Sequence, residues 1–317
     1  MSSLKRSTIS LFAVLFVLSL AVTASAQVVT PQPSQKASVM QRVGVTDITI
    51  TYYRPGVKGR KIWGDPLPGQ EASVKGEATL DNQNVRPKEA VIVPNGHVWR
   101  TGANDATTFV VNDDVLINGQ KLAAGTYSLH TIPTKDEWTI VFNGTANQWG
   151  SFNYDAAKDT LRVKAKPTWV NENQEWLAFT FDPVTDDSAQ VNIRWEKISV
   201  PFTVKVPDVA AATLARLKTT VAGAKADDWL TPLQAGNFLI NNTNAADDQQ
   251  GMAWIEQSIK VKETFRNLAS KANALYKAGK KEEAYAVAEQ AIQKGKADKV
   301  DTSAFEKRVA DMKAGKI

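Results

Sequence analysis

The sequence of 317 residues predicts two architectures in succession, an antiparallel β-sandwich or barrel followed by a small α-helical domain. Polar and apolar residues alternate along much of 27–206, which is typical of strands with one packed and one exposed face. After Pro207 the apolar residues instead recur three and four positions apart, as they do in helices. Short strands with frequent turn residues and no intervening helical pattern favour antiparallel pairing. We therefore expect an all-β domain at 27–206 and a helical domain at 207–317.

The first 26 residues have the three parts of a secretory signal peptide. Lys5 and Arg6 supply a positive start, an apolar run occupies 9–22, and residues 24–26 supply the small side chains that signal peptidase requires. The apolar run is shorter than the roughly 20 residues of a membrane-spanning helix. We expect cleavage before Gln27, export to the periplasm or the medium, and no transmembrane segment in the cleaved chain.

The composition argues against several classes of protein. The chain contains no cysteine, so we expect no lipoprotein anchor, no disulfide and no thiolate chemistry. A net charge of +5 is mild, and no Lys/Arg block indicates nucleic-acid binding. The two histidines are too few for a zinc site of three or four ligands, and neither a metal nor a cofactor is predicted. No P-loop, G-x-G-x-x-G or G-x-S-x-G motif is present.

Within the β region, the alternation is clearest in six runs, at 47–52, 126–130, 137–142, 159–165, 190–195 and 202–206. Asn118-Gly119 predicts a tight hairpin turn, because both residues tolerate positive φ. His130 is placed on the same strand face as Ser128, and His97 is interpreted as an exposed residue. The segment at about 65–92 breaks the strand rhythm with glycine, proline and charged residues, so it is expected to be a long inserted loop.

Two segments that follow strand patterns, at 52–64 and 93–108, carry the side chains best suited to hold a small ligand. The first combines closely spaced cations with glycines that let backbone approach a ligand. Guanidinium groups grip carboxylates or phosphates, and an aromatic wall with a few polar groups is typical of a small-molecule or sugar pocket. The candidate ligand-binding residues are Arg54, Lys58, Arg60, Trp63, Trp99, Arg100, Thr101, Asn104 and Asp105.

The same residues also fit a purely structural interpretation. Arg100 would then pair with Asp105 and brace a turn, the cations of 52–64 would form a solvated loop face, and Trp63 and Trp99 would cap the core. Sequence spacing alone leaves both interpretations open.

At these segments the chain resembles the bacterial family known as domain of unknown function 2911. The resemblance rests on a strand and loop at 46–64, the "VWRTGAN" segment at 93–108, a hairpin at 115–133 and a "W-I-FN…WG---Y----D-LR" segment at 138–162. It implies a β domain but no reaction, since the family has no assigned activity. Two features depart from the family pattern: the family usually passes almost directly from the first segment to the second, without a 65–92 insertion, and it more often has glutamate where Asp105 stands.

The helical part contains five periodic runs, at 210–222, 229–240, 252–278, 282–294 and 302–313. The two runs that flank Gly279 resemble a single tetratricopeptide-like hairpin, and a similar tail often ends members of the family. One such helix pair buries its apolar face only against neighbouring elements. The tail is therefore expected either to pack structurally or to bind a protein partner.

Three functions are carried forward from these observations. The leading one is a non-catalytic exported protein whose β domain binds a small anionic or sugar-like ligand between the two segments. The second is a scaffold protein that docks a partner through its helical tail. The third is an uncharacterised hydrolase in which Asp105 acts beside Arg100 as an electrostatic stabiliser.

Overall fold

The computed structural model describes residues 30–69, 89–242 and 245–316. The expected signal peptide at 1–26 and the middle of the expected insertion lie outside the described residues. The described chain consists of a mostly antiparallel β region at 35–205, followed by helices at 209–313.

The β region contains twelve strands within the described residues. They are β1 (Gln35–Val43), β2 (Thr46–Arg54), β3 (Trp63–Gly64), β4 (Val93–Pro94), β5 (Thr107–Val111), β6 (Val115–Ile117), β7 (Gln120–Leu122), β8 (Gly125–Ile132), β9 (Trp138–Asn143), β10 (Asp159–Ala165), β11 (Thr168–Val184) and β12 (Ser188–Lys205). The runs at 190–195 and 202–206, which alternate separately in the sequence, lie almost wholly within the single strand β12.

These strands form two main sheets that are not closed into a barrel, so the predicted sandwich is the correct alternative. The larger sheet has the order β1-β2-β5-β8-β9-β10, and the smaller has the order β11-β12-β6-β7. The short strands β3 and β4 pair in parallel at 63–64 and 93–94. The predicted turn at Asn118-Gly119 is confirmed between β6 and β7, with φ of 46° and 84° as a tight hairpin requires.

Four tryptophans from distant parts of the chain pack together between the two sheets. Trp63 lies against Trp99, Trp138 and Trp195, with ring centroids 5.6, 5.0 and 5.6 Å away. Trp99 stacks on Trp195 at 5.7 Å with an interplanar angle of 18°. Edge-to-face and stacked aromatic pairs of this kind add about 0.5–1.5 kcal/mol each beyond their buried area. The cluster therefore anchors both predicted ligand-binding segments to the core.

A row of polar side chains crosses all six strands of the larger sheet on the face turned away from this core. Strand register places the following residues opposite one another in succession: Ser38, Thr51, Thr108, Ser128, Asn143 and Asp159. Their strand neighbours Ile50, Phe109 and Phe142 are fully buried in the core, as the period of two requires. We call these six residues the polar row.

The described helices of the C-terminal part are α1 (Val209–Ala222), α2 (Leu230–Asn242), α3 (Ala245–Val261), α4 (Phe265–Lys277), α5 (Lys281–Ala297) and α6 (Ser303–Lys313). The expectation of one helix over 252–278 is wrong, because the chain ends α3 at Val261 and starts α4 at Phe265. Thr264 and Asn267 form a reciprocal capping box there, which satisfies the first N–H groups of α4. Not one described helix is long and apolar enough to cross a bilayer.

Four of the six described helices pack as two hairpins, with α1 between them and the β-sandwich and α6 after them. Val209 at the start of α1 lies against Gly44, and Arg216 pairs with Asp113 at 3.0 Å, so the first helix is docked on the sheets. The pairs α2–α3 and α4–α5 are each antiparallel neighbours, and Gly279 with φ of 78° turns the chain between α4 and α5.

We predict that Gly236→Ala destabilises the helical region by about 1–3 kcal/mol, the usual cost of overpacking. A Cβ at Gly236 would lie 2.6 Å from the Gly251 carbonyl oxygen and 2.8 Å from Ile255 Cγ1, where α2 crosses α3. The free-energy cost of this clash exceeds the gain in helix propensity from glycine to alanine, which is about 1 kcal/mol. Urea unfolding measures the effect. Gly223→Ala is the control, since its Cβ meets nothing closer than 3.4 Å, and equal stability of the two variants would contradict the close crossing.

Candidate functional site

The segment that connects β9 to β10 folds back across the outer face of the larger sheet and pairs with the second predicted binding segment. The backbone N–H of Ala106 donates to the Gln148 carbonyl at 3.0 Å, and that of Gly150 donates to the Asn104 carbonyl at 2.9 Å. Asp105 and Trp149 form a β-bridge between these two bonds. We call residues 144–158 the cover segment, because they lie over part of the polar row.

A compact network of polar side chains fixes the far end of the cover segment. The Tyr154 hydroxyl donates to Asp159 at 2.7 Å, and Arg162 donates to the same carboxylate at 2.7 Å. Asn143 donates to the Asp155 carbonyl at 2.9 Å and to Asp159 at 2.7 Å. Because charge-assisted hydrogen bonds are about twice as strong as neutral ones, this network holds the segment firmly on the sheet.

Between the near end of the cover segment and β1–β2 lies a pocket of about 530 Å³ that opens to solvent, which we call the outer-face pocket. Its described lining residues are Lys36, Thr51, Asp105, Ala106, Thr108, Ala146, Asn147, Gln148 and Trp149. Two of them, Thr51 and Thr108, belong to the polar row and form adjacent positions on β2 and β5. The pocket therefore has a hydroxyl-bearing floor, amide and carboxylate groups at its wall, and one large aromatic ring.

A cation, a carboxylate and two aromatic rings lie close together at the outer-face pocket. Trp149 is 58% exposed, so much of its ring is accessible from solvent at the pocket. Tyr53 is hydrogen-bonded to Asp105, and burial first, then the Asp105 charge, raises the pKa of the Tyr53 hydroxyl. The Lys36 ammonium lies 5.7 Å from the centre of the Tyr53 ring, so a cation and a carboxylate share one rim.

Gln148 joins the pocket to the polar row beneath it. Its side chain is buried, and its Nε2 donates to Ser128 Oγ at 3.2 Å and to the Thr145 carbonyl at 3.0 Å. Its Oε1 accepts no hydrogen bond from any described residue. Gln148 therefore joins the cover segment to Ser128 of the polar row.

Two cationic side chains of the first predicted segment donate hydrogen bonds to backbone carbonyls, and a third lies over an aromatic ring. Arg54 Nε donates to the Leu177 carbonyl at 2.8 Å. Arg60 donates to the carbonyls of Val57 and Gly56, and so closes its own loop. Lys58 has φ of 48°, and its ammonium lies 5.5 Å from the centre of the Trp176 ring. These three side chains do not line the outer-face pocket among its described residues.

The second predicted segment is largely buried. Trp99 belongs to the tryptophan cluster together with Trp63 of the first segment, and its Nε1 donates to the Gly102 carbonyl at 3.1 Å. Thr101 is fully buried with φ of 53°, an uncommon conformation for a β-branched residue, and it is held by Thr131 Oγ1 at 3.2 Å. Asn104 has φ of 56° and donates to the Ser34 carbonyl at 3.3 Å. Of the nine predicted site residues, Asp105 is the one that lines the described pocket.

Arg100 lies beside a buried histidine at the centre of the outer face. His130 is on the same strand face as Ser128, as predicted, and is fully buried against Tyr154, with ring centroids 4.9 Å apart. Neither ring nitrogen has a hydrogen-bond partner among the described residues. Burial first, and then the charge of Arg100, lowers the pKa of His130 to about 3.

The expectation that His97 is exposed is wrong: it is 3% exposed, because the chain at 96–99 pairs with 131–133.

Sequence reasoning missed most of the pocket. Thr51 and Thr108 look like ordinary outward-facing strand residues, and Asn147, Gln148 and Trp149 belong to a connection that carries no binding motif. The spacing "WG---Y----D-LR" contained part of the signal, because Tyr154, Asp159 and Arg162 fix the cover segment by hydrogen bonds and Trp149 lines the pocket. Pairing of the 104–106 and 148–150 segments is a contact across more than forty residues, and local periodicity does not report it.

Together the fold and the pocket define a two-part protein, in which a β-sandwich with an open polar pocket on one sheet precedes a bundle of helices. Residues 34–204 match the family described as "Protein of unknown function (DUF2911)", and since this match covers more than half of the chain, the chain belongs to that family. The match confirms the resemblance in the β region and stops before the helices. No curated protein and no solved structure matches the chain.

We predict that the protein loses about 2 kcal/mol of its unfolding free energy between pH 7 and pH 5 through His130 alone. The folded-state pKa of about 3 lies below the ordinary value of 6.5, so in this range the unfolded chain takes up a proton and the folded chain does not. Stability from this group is therefore complete above pH 6.5 and declines as the pH falls towards 3. Urea unfolding of the protein and of His130→Gln, at several pH values, measures the slope; an equally steep slope in the variant would contradict it.

Proposed function

We propose that the β-sandwich of this exported protein binds a small neutral polyhydroxyl ligand, such as one or two sugar units, in the outer-face pocket. The observation that carries this proposal is the exposed ring of Trp149 beside Asp105, Asn147 and Thr108. A sugar presents an apolar face of C–H groups, which stacks on an aromatic ring, and a rim of hydroxyls, which bind carboxylates and amides. Export follows from the sequence of residues 1–26 and is part of the proposal.

The charge of the pocket favours a neutral ligand over an anionic one. Its described lining contains one cation, Lys36, and one carboxylate, Asp105, which offset each other. The arginines that suggested an anion in the sequence donate to backbone carbonyls elsewhere, as Arg54 and Arg60 show. A ligand bearing a full negative charge would meet the carboxylate without a surplus of cations to compensate it.

The lining of the outer-face pocket also favours binding of a sugar over hydrolysis of a glycosidic bond. Glycoside hydrolysis uses a pair of carboxyl groups about 5–10 Å apart. Among the described lining residues, Asp105 is the one carboxylate. Its neighbour Tyr53 has a raised pKa and remains protonated at neutral pH, so it acts as a hydrogen-bond donor to Asp105.

Binding is tested by isothermal titration of a panel of neutral mono- and disaccharides, sugar acids and sugar phosphates. We expect a neutral sugar to bind, and both Trp149→Ala and Asp105→Asn to weaken its binding by about tenfold or more, equivalent to at least 1.4 kcal/mol. Trp149 is mostly exposed, so its truncation should leave the melting temperature nearly unchanged.

Two variants act as controls for this titration. Trp169→Ala removes another exposed ring, which is 67% accessible and lies on the smaller sheet. Arg60→Ala removes a predicted site residue that braces its own loop, so it should lower stability and leave affinity unchanged. The proposal is wrong if no neutral sugar binds, if only the anionic ligands bind, or if Arg60→Ala weakens binding as much as Trp149→Ala.

A further inference from the structure

A second pocket, independent of the β-sandwich, lies between the alternate helices α2, α4 and α6. It measures about 400 Å³, and we call it the helical groove. Its described lining residues are Asn237, Ile240, Asn241, Ser270, Asn273, Ala274, Tyr276, Lys277 and Arg308. Amides, a hydroxyl and cations therefore converge from three helices that are far apart in sequence.

The helical groove contains two cations, of which Arg308 has no carboxylate partner among the described residues and Lys277 lies 3.7 Å from Asp248, outside the lining. Lys277 and Arg308 are both cations, and no carboxylate is found among the described lining residues. Arg308 Nε donates to Asn273 Oδ1 at 3.0 Å, which orients the guanidinium, and this arginine has no ion pair with any described carboxylate. A guanidinium held by a neutral amide keeps its charge available for an anion, and its planar fork matches a carboxylate.

A larger and more apolar pocket adjoins the helical groove on the other side of Lys277. It measures about 650 Å³, and it shares Ile240, Ala274 and Lys277 with the groove. Met252 and Leu275 supply further apolar lining, and charged side chains of both signs also line it, namely Asp248, Glu256, Lys271, Lys280 and Glu283. The Lys277 ammonium donates to the Ile240 carbonyl and lies 3.7 Å from Asp248, so it stands at the boundary between the two spaces.

We infer that the helical groove binds the C-terminal carboxylate of a peptide or protein partner. The carboxylate contacts Arg308 and Lys277, the amides of Asn237 and Asn241 bind the last peptide groups, and an apolar side chain near the terminus enters the adjoining pocket. A free carboxylate ion would use the cations and leave the apolar pocket empty. The combination of a cationic end and an apolar end thus fits a chain terminus.

The test uses the full chain and a synthetic library of N-acetylated pentapeptides, each presented as the free acid and as the C-terminal amide. We expect free acids with an apolar side chain near the terminus to bind, and the matching amides to lose about tenfold or more in affinity, because hydrogen bonds to charged groups are the strong ones. Arg308→Ala should cause a similar loss for the best free acid, measured by fluorescence anisotropy.

The matched control is Lys307→Ala, which removes one positive charge from the same helix at an exposed position outside the described lining. We expect it to bind as the unaltered chain does. Circular dichroism melting shows whether Arg308→Ala remains folded, and Arg308→Lys, which keeps the charge without the fork, should recover part of the affinity. Equal binding of acids and amides, binding of phosphoserine peptides only, or undiminished binding by Arg308→Ala would overturn the inference.

Discussion

The tryptophan cluster is the contact on which the rest of the β domain depends. Trp138 and Trp195 come from strands of opposite sheets, whereas Trp63 and Trp99 come from the two segments that seemed to form a ligand site. Replacing one fully buried aromatic ring of this kind usually costs about 3–5 kcal/mol, a large part of a domain's stability. Since both segments are anchored at their tryptophans, the residues between Trp99 and β5 have little freedom, and Asp105 is delivered to the outer face in one position.

The outer face of the larger sheet is held together by polar contacts, whereas its inner face is held by apolar ones. Its centre is buried by the cover segment, where His130 is 0% and Gln148 is 8% exposed. Its edge, over Thr51 and Thr108, remains open and forms the pocket. A face that must satisfy many polar groups cannot be sealed by packing alone, so the incomplete cover leaves hydrogen-bonding groups turned towards solvent. The candidate site is a consequence of where the cover segment stops.

The sequence predicted the architecture well because periodicity reports local structure. The strand at 159–165 and the turn at Asn118-Gly119 are found where alternation and turn chemistry indicated them. The helix break at Thr264 was missed, since a capping box within an apolar repeat looks like helix interior. The site was harder to predict. Residue chemistry singled out arginines and tryptophans, but the fold uses their hydrogen bonds and rings internally, and the pocket is formed by a pairing between segments that are distant in sequence.

The parallel pair formed by β3 and β4 has a further consequence for how this sandwich tolerates an insertion. Backbone bonds from Val93 to Ile62 at 2.8 Å and from Asn95 to Gly64 at 2.8 Å join the two ends of the 65–92 segment directly. The entropy of closing a loop rises only by about 0.6 kcal/mol for each doubling of its length. We therefore expect that the 65–92 segment can be replaced at this junction by a shorter connection, or by an entire inserted domain, without altering the sandwich.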